Sequence, residues 1–368
     1  MRIALDCRSV FHGMGGIGCY TWSLLKEYAT LCGEHEVVCY FTHLSPPEPV
    51  SLPANFNVRI FEAGMIDERF DQLVLPGLLA RDRIDLYHNP TFAVPLVRTS
   101  SKVVATIHDV VFRRHPELVE PKLRSYLDTA THRACKLADR LVTVSEFSRR
   151  EIVKLYSVDP DRIDVIPNGV HQATAARGGR VDRFGLASGG YVLYVGSVER
   201  KKNLDLLLEG YQRMTENAPG LLLALVGSKS DDSLPSRLRE RGLGARVRVL
   251  GYVSPEDLEI LYANARLFVY PSLYEGFGLP PLEAMARGVP TIVANTSSLP
   301  EVVGDGAELV DPHDADGLAK LMLALSTDEP RREALAARGR ERAKNFTWRR
   351  SAERHLEIYT HANLASCV

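Results

Sequence analysis

Two glutamates, Glu275 and Glu283, are separated by the seven residues Gly276-Phe277-Gly278-Leu279-Pro280-Pro281-Leu282. They follow an apolar run, Leu267–Tyr270, that reads as a strand, and the residues after Gly278 read as the opening of a helix. A strand-to-helix turn of this kind presents free backbone N–H groups, and the new helix aims its positive end at the same place. A ligand resting there would meet a carboxylate on each side and amide donors between them. That arrangement suits a molecule rich in hydroxyls that also carries phosphate, and a sugar nucleotide has both. A strand-to-helix turn with one surface glutamate and one capping glutamate would give the same letters.

Other chemistry-bearing residues stand at similar places. Arg200-Lys201-Lys202 follows the run Tyr191–Val195 and precedes a helical pattern. Positive charge is unfavourable at a helix N-terminus, so three consecutive cations there fit a bound anion such as a diphosphate, or else a solvated surface cluster. Gly13-Met14-Gly15-Gly16-Ile17-Gly18 follows the first strand and matches G-x-G-x-x-G. A dinucleotide site would also need an acid at the end of the second strand. That strand ends Cys39-Tyr40-Phe41-Thr42-His43 and has none, which leaves a tight turn or another phosphate-bearing ligand. His108-Asp109 ends an apolar strand at 103–107, where a polar pair would face a ligand; His88, ending another strand, is the weaker candidate. A lone histidine is as often structural.

With the glycines and prolines between its glutamates, a strand before, and Ala284-Met285-Ala286-Arg287-Gly288-Val289-Pro290 after, the first segment resembles the E-x7-E motif of retaining GT-B glycosyltransferases, in particular glycosyltransferase family 4. The chain resembles that fold over nearly its whole length. The resemblance implies two Rossmann-like domains facing a central cleft, with the last helix crossing back to the N-terminal domain. It implies transfer of a sugar from a nucleoside diphosphate sugar to an acceptor hydroxyl, with retention at the anomeric carbon. Glu283 would hold the ribose hydroxyls, and Glu275 would orient the sugar with help from the turn Gly276-Phe277-Gly278. Lys202 falls on the family's phosphate-binding lysine. Where many relatives carry an arginine directly after the glycine of that turn, this chain has Ser197, so Arg200 or Lys201 would supply the second cation. Gly16 falls where the N-terminal loop approaches the diphosphate and the acceptor, and His108 where a histidine meets the donor sugar and the acceptor. The base would lie against Gly251-Tyr252-Val253, and the segment 142–148 would line the cleft.

No cofactor and no metal are expected, with Lys202 and Arg200 taking the part of Mg²⁺. Asp159-Pro160-Asp161 and Asp314-Ala315-Asp316 have the spacing of a metal-binding Asp-x-Asp, but each opens a helix and reads as a cap. Pro280-Pro281 favours mannose, from GDP-mannose, among bacterial-type relatives. The acceptor would be a glycan, glycolipid or lipid-linked hydroxyl, met by variable loops such as 45–53 and 62–69. A nucleotide-sugar-binding protein without turnover and a GT-B UDP-sugar epimerase are the rival readings. Intact Lys202, Glu275, Glu283 and His108 argue against the first, and the lack of carboxylates placed for proton abstraction argues against the second.

These residues need a scaffold of some size. At 368 residues, two domains are the default. The chain is 45% hydrophobic and 25% charged, as expected of a soluble globular protein. A net charge of −1 makes no case for nucleic acid or for bulk adhesion to membranes. No run of 18 apolar residues is present, and Met1-Arg2-Ile3-Ala4-Leu5-Asp6 is not a signal peptide. The six cysteines form no C-x-x-C and read as buried free thiols, so a cytoplasmic location is expected. Residues 113–154 are basic and interleaved with Leu and Tyr; they suit a solvated helix face or, less well, reversible contact with the inner membrane surface.

Short β-rich runs alternate with helical ones, which points to α/β domains with parallel sheets. Strands are expected over 2–6, 36–41, 58–61, 84–87, 103–107, 141–144 and 163–166, then over 191–196, 222–226, 247–250, 267–270 and 291–293. Helices are expected over 17–31, 70–81, 121–138 and 146–155, then near 203–216, 234–241, 254–263 and 281–287. Residues 1–170 would form the acceptor domain, 171–190 a linker, 191–345 the donor domain, and 346–368 the crossover helix.

Overall fold

The computed structural model describes residues 1–11, 15–42, 52–62, 67–172, 180–216, 220–227 and 233–364. Gly13, Cys367 and parts of the loops 45–53 and 62–69 lie outside them. The chain divides into two compact units, Met1–Gly169 with Thr347–Val368, and Val170–Phe346.

The first unit is built on a seven-stranded, all-parallel sheet. Its strands are β1 (Arg2–Asp6), β2 (Glu36–Thr42), β3 (Phe56–Phe61), β4 (Leu86–Asn89), β5 (Lys102–Thr106), β6 (Arg140–Thr143) and β7 (Ile163–Val165), in the order β3-β2-β1-β4-β5-β6-β7. The inner strands are buried on both faces (Ile3, Ala4, Leu5, Val104 and Ala105 among them), which is why they read as unbroken apolar runs. The helices are α1 (Gly16–Leu31), α2 (Leu75–Arg81), α3 (Val111–Arg114), α4 (Pro121–Leu137) and α5 (Glu146–Tyr156), joined by the C-terminal helix Trp348–Leu364, which packs on α1. A π-helical turn, Phe70–Val74, leads into α2 where one helix over 70–81 is expected. β4 begins two residues later than expected. Asp85 is used outside the ladder, accepting from the Arg2 amide at 2.7 Å, and pairing with β1 starts at Ile3 and Leu86. His88 therefore lies within the strand and is fully buried.

The second unit has six parallel strands, β8 (Tyr191–Val195), β9 (Leu222–Val226), β10 (Val247–Gly251), β11 (Leu267–Tyr270), β12 (Thr291–Ala294) and β13 (Glu308–Val310), in the order β10-β9-β8-β11-β12-β13. Its helices are α6 (Leu204–Thr215), α7 (Leu234–Glu240), α8 (Pro255–Asn264), α9 (Leu279–Ala286), α10 (Leu299–Val303), α11 (Ala315–Thr327) and α12 (Glu329–Ala343). The sequence pattern gives no hint of β13 or of α10 to α12. α12 buries only Leu335, Ala336, Gly339 and Ala343, so small residues stand where an apolar stripe would signal a helix. A Cβ on Gly306 would lie 3.0 Å from the Gly339 Cα, a backbone approach that larger side chains would prevent.

The described part of the stretch expected to be a linker is folded into the second unit. Val181 and Leu186 are buried, and the Gly189 amide donates to the Asn264 carbonyl at 2.8 Å. Side-chain caps open several helices. The Ser145 hydroxyl accepts from the Ser148 amide at 3.0 Å, and the Ser254 hydroxyl accepts from the Asp257 amide at 3.1 Å. Asp159 and Asp314 accept from the amides of Asp161 and Gly317, so both Asp-x-Asp pairs do the work of capping.

Candidate active site

In each sheet the strand order reverses once, between β1 and β4 in the first unit and between β8 and β11 in the second. Ligands of open α/β sheets bind beyond the carboxyl ends of the strands at such a reversal. In the second unit, Lys202 follows β8 and Glu275 follows β11, so neighbouring strands bring together residues 73 positions apart.

Lys202 lies in a 3₁₀ turn, Arg200–Lys202, that precedes α6. Asn203 ends the turn in the left-handed region, with φ of 55°. The turn is tied to the opposite loop through the Lys201 carbonyl, which accepts from the Leu273 amide at 2.7 Å and the Ser272 hydroxyl at 2.9 Å. The Lys202 ammonium donates to the Glu275 Oε1 atom and to the Tyr270 hydroxyl, each at 2.6 Å. Tyr270 and Ser272 donate to the same Oε1 at 2.9 and 2.6 Å. Glu275 is 9% exposed. Burial alone would raise its pKa, but Lys202, Lys201 and the hydrogen bonds outweigh it and hold the carboxyl below its ordinary range. Burial pulls Lys202 the other way, and Glu275 more than restores its charge. The anion that offsets Lys202 before α6 is therefore the protein's own Glu275. Arg200 is exposed at the start of the same turn.

The turn after Glu275 is braced from β12 and α10. The Glu275 amide donates to the Ser297 hydroxyl at 3.0 Å, and the buried Ser298 hydroxyl lies 2.9 Å from the carbonyls of both Glu275 and Phe277. Phe277 is buried, and Gly278 caps α9 with φ of 108°. Pro280 and Pro281 carry no N–H, so the free donors of this helix start are fewer than in an ordinary helix. Glu283, in the second turn of α9, is half-buried, and its Oε2 accepts from the Tyr262 hydroxyl at 3.0 Å. Burial raises its pKa and the Tyr262 bond opposes that only in part. Val253 is half-buried beyond β10, next to the exposed Tyr252.

In the first unit, Gly16 opens α1 and is exposed, with open space where a Cβ would stand. His108 follows β5 and is half-buried. Its Nε2 lies 3.0 Å from the Pro90 carbonyl, which can only accept, so Nε2 carries the proton. Burial lowers the His108 pKa, with Pro90 and Asp109 opposing, so the ring is neutral and its Nδ1 can accept a hydrogen bond. Its ring stands edge-on to Tyr20, with centroids 4.8 Å apart.

One expectation needs correction. Cys19, on α1, is exposed rather than buried; it falls on the solvent side of the helix, while Cys7, Cys32, Cys39 and Cys135 are buried. Several cations of the stretch 113–154 are held in ion pairs. Arg113 meets Asp128 at 2.7 Å and Arg114 meets Glu151 at 3.3 Å, while Glu68 and Asp164 from outside the stretch pair with Arg133 and Arg140. Among the described residues, no helix is long and apolar enough to cross a membrane. Tyr270, Ser272, Ser298 and Tyr262, which hold the two glutamates, are not singled out by the sequence; nearness to Glu275 is the only signal that Tyr270 and Ser272 carry.

The chain is similar to known proteins. Residues 14–173 match the family described as Glycosyltransferase Family 4, and residues 187–342 match Glycosyl transferases group 1. The chain is 39% identical over 287 residues to the O-antigen chain mannosyltransferase B of Escherichia coli, covering 74% of each. The chain belongs to glycosyltransferase family 4. It is also 32% identical over 300 residues to a D-inositol 3-phosphate glycosyltransferase of Nocardia farcinica, which spans 78% of this chain and 64% of that protein. Among solved structures, a sucrose-phosphate synthase from Thermosynechococcus elongatus superposes with a TM-score of 0.80 at 22% identity, over 99% of this glycosyltransferase and 100% of the other chain. The fold is GT-B, and the protein is a glycosyltransferase.

Proposed function

We propose that this glycosyltransferase moves a mannosyl residue from GDP-mannose to a hydroxyl of a glycan, glycolipid or lipid-linked acceptor, with retention at the anomeric carbon and without a metal ion or cofactor. The observation that carries the reading is Glu275, a buried carboxylate with three donors on Oε1. That leaves Oε2 for sugar hydroxyls, beside the Lys202 ammonium, which on this reading also meets the phosphate. The relative with 39% identity is a mannosyltransferase, which favours that sugar.

In the reaction, the bond between the anomeric carbon and the diphosphate oxygen breaks, and the acceptor oxygen bonds to the same face of that carbon. The acceptor's proton passes to the departing phosphate oxygen, so no protein base is required. Negative charge grows on the leaving diphosphate, and Lys202 and Arg200 stabilise it as it develops. Glu283 holds the ribose hydroxyls, the Phe277 and Gly278 amides steady the turn against the donor, and the backbone at Val253 borders the base. Gly16 leaves room at the start of α1, and His108 accepts a substrate hydroxyl on Nδ1.

A donor screen tests this. Release of nucleoside diphosphate from GDP-mannose, UDP-glucose and UDP-GlcNAc is followed with EDTA present, alongside Lys202→Ala and Glu283→Ala. Turnover of GDP-mannose that resists EDTA and is lost in both variants supports the reading. Turnover of a UDP-sugar alone overturns the donor, loss with EDTA overturns the metal-free chemistry, and binding without turnover on any acceptor points to a binding protein.

A further inference from the structure

A line of buried polar side chains runs from the C-terminal helix, labelled α13 (Trp348–Leu364), to the ring that supports His108. Tyr28 and Tyr359 hydroxyls lie 2.8 Å apart, and the Tyr359 hydroxyl lies 2.5 Å from His88 Nδ1. His88 Nε2 lies 2.8 Å from the Thr106 hydroxyl, which is 3.3 Å from the Tyr20 hydroxyl. Tyr20 is in turn 2.8 Å from His355 Nε2, and His355 Nδ1 is 2.7 Å from the Ser351 carbonyl. His88, Thr106 and His355 are wholly buried, as is Tyr20.

One end of the line fixes the direction of every bond. The Ser351 carbonyl can only accept, so His355 Nδ1 carries a proton. A buried, neutral His355 then has a lone pair on Nε2, and Tyr20 must donate to it. Tyr20 has spent its hydrogen and accepts from Thr106. Thr106 has spent its own and accepts from His88 Nε2–H. His88 Nδ1 then accepts from Tyr359, and Tyr359 accepts from Tyr28. Every donor finds an acceptor in this arrangement, whereas the other tautomer of His88 would set the Thr106 and Tyr20 oxygens against each other with no proton between them. A fully satisfied buried network holds its members in one geometry.

Tyr20 is the member that reaches outward. Its ring meets the edge of His108 at 4.8 Å, and Trp348 packs against it with centroids 6.0 Å apart. We infer that Tyr20, His355 and Tyr359 are positioning residues for His108, so that the seating of the C-terminal helix sets the direction in which His108 Nδ1 is presented. This rests on the role given to His108 above.

The test follows the His108 ring directly in protein carrying isotope-labelled histidine, with the signal assigned by His108→Ala. His355→Leu removes the acceptor of Tyr20, Tyr359→Phe breaks the line one residue beyond His88, and His355→Gln restores an acceptor near Nε2. The His108 ring signals and midpoint are expected to shift in His355→Leu and Tyr359→Phe and to return to wild type in His355→Gln. Should His355→Leu fail to fold, Tyr20→Phe keeps the ring and removes only the hydroxyl. Unchanged His108 signals across the folded variants would overturn the inference whatever the activity. With the cognate donor, His355→Leu is expected to lower kcat about tenfold with donor KM unchanged, and to change it less than twofold in a His108→Ala background. Full additivity with His108→Ala also sinks the inference, while His108→Ala with wild-type turnover would instead show that the role given to His108 is wrong.

Discussion

Lys202 and Glu275 each make the burial of the other tolerable. Their side chains are 12% and 11% exposed, and removal of one leaves an uncompensated charge in a poorly solvated place. Lys202→Ala is expected to cost about 3 kcal/mol of stability, while the neutral pair Lys202→Met with Glu275→Gln recovers most of it and stays inactive. Denaturant titration followed by circular dichroism, beside a turnover assay, reads both effects; a double variant no more stable than Lys202→Ala would refute the pairing argument. Glu283 makes a different case. Its pKa is raised above the ordinary glutamate value by burial, so the carboxylate proposed to accept ribose hydroxyls is lost as pH falls through that raised value. Affinity for nucleoside diphosphate is expected to fall as pH drops through that raised midpoint. Glu283→Gln should bind about tenfold more weakly at neutral pH, the scale of a hydrogen bond to a charged group, and should lack that inflection. Calorimetric titration from neutral to acidic pH decides, and an inflection that survives in Glu283→Gln assigns it elsewhere.

At the scale of elements, the strand-to-helix turn at 271–279 depends on Gly278 more than on helix propensity. α9 is eight residues long and begins Leu279-Pro280-Pro281, so the turn before it must supply both shape and donors. Gly278 sits at φ of 108°, and a Cβ there would stand 2.7 Å from Leu299 Cδ2 on α10. Gly278→Ala is expected to cost about 2 kcal/mol from backbone strain and crowding together and to weaken donor binding. Leu299→Val in the same chain should relieve the crowding but leave the strain, recovering only part of the loss in the circular-dichroism midpoint; a Gly278→Ala protein as stable as wild type would show that the turn is not glycine-dependent. The glycine, the two glutamates and the strand ahead of them are all adjacent in sequence, which is why this element is legible there. α12 is not, because Leu335 is the one large apolar residue it buries beside alanine and glycine, and the described part of 171–190 is not, because its two buried residues, Val181 and Leu186, stand five positions apart with no apolar periodicity between them.

Over the whole chain, what the sequence hides is long-range pairing. Alternating strands and helices announce two parallel sheets, and spacing announces the turn of each site. That Lys202 spends its charge on Glu275, or that His88 meets Tyr359 across 271 positions, follows only from strand order and helix packing. Buried titratable groups set how the first unit responds to acid. The chain's two tryptophans, Trp22 and Trp348, both lie in that unit, so tryptophan fluorescence reports its unfolding alone. Burial lowers the pKa of His355 to about 4 and that of His88 well below its ordinary value, so the unfolded chain takes up these protons first and acidification below about 6.5 destabilises the fold. Asp71, buried against Arg8 and near Asp6, acts in the opposite sense. Desolvation raises it to about 6 despite Arg8, so the folded state takes its proton first and gains stability as pH falls from about 6 towards 4. His355 and Asp71 each shift the balance by about 3 kcal/mol and nearly cancel, which leaves His88 and His108, both lowered by burial, to make the net effect of acid unfavourable. The fluorescence-detected urea midpoint is therefore expected to fall between pH 7 and 4.5 in wild type, to fall more steeply in Asp71→Asn, and to fall less steeply in His355→Gln. A wild-type slope retained in both variants would mean that neither buried group governs the acid response, and that the network between α1, β4 and α13 is held by packing rather than by its neutral histidines.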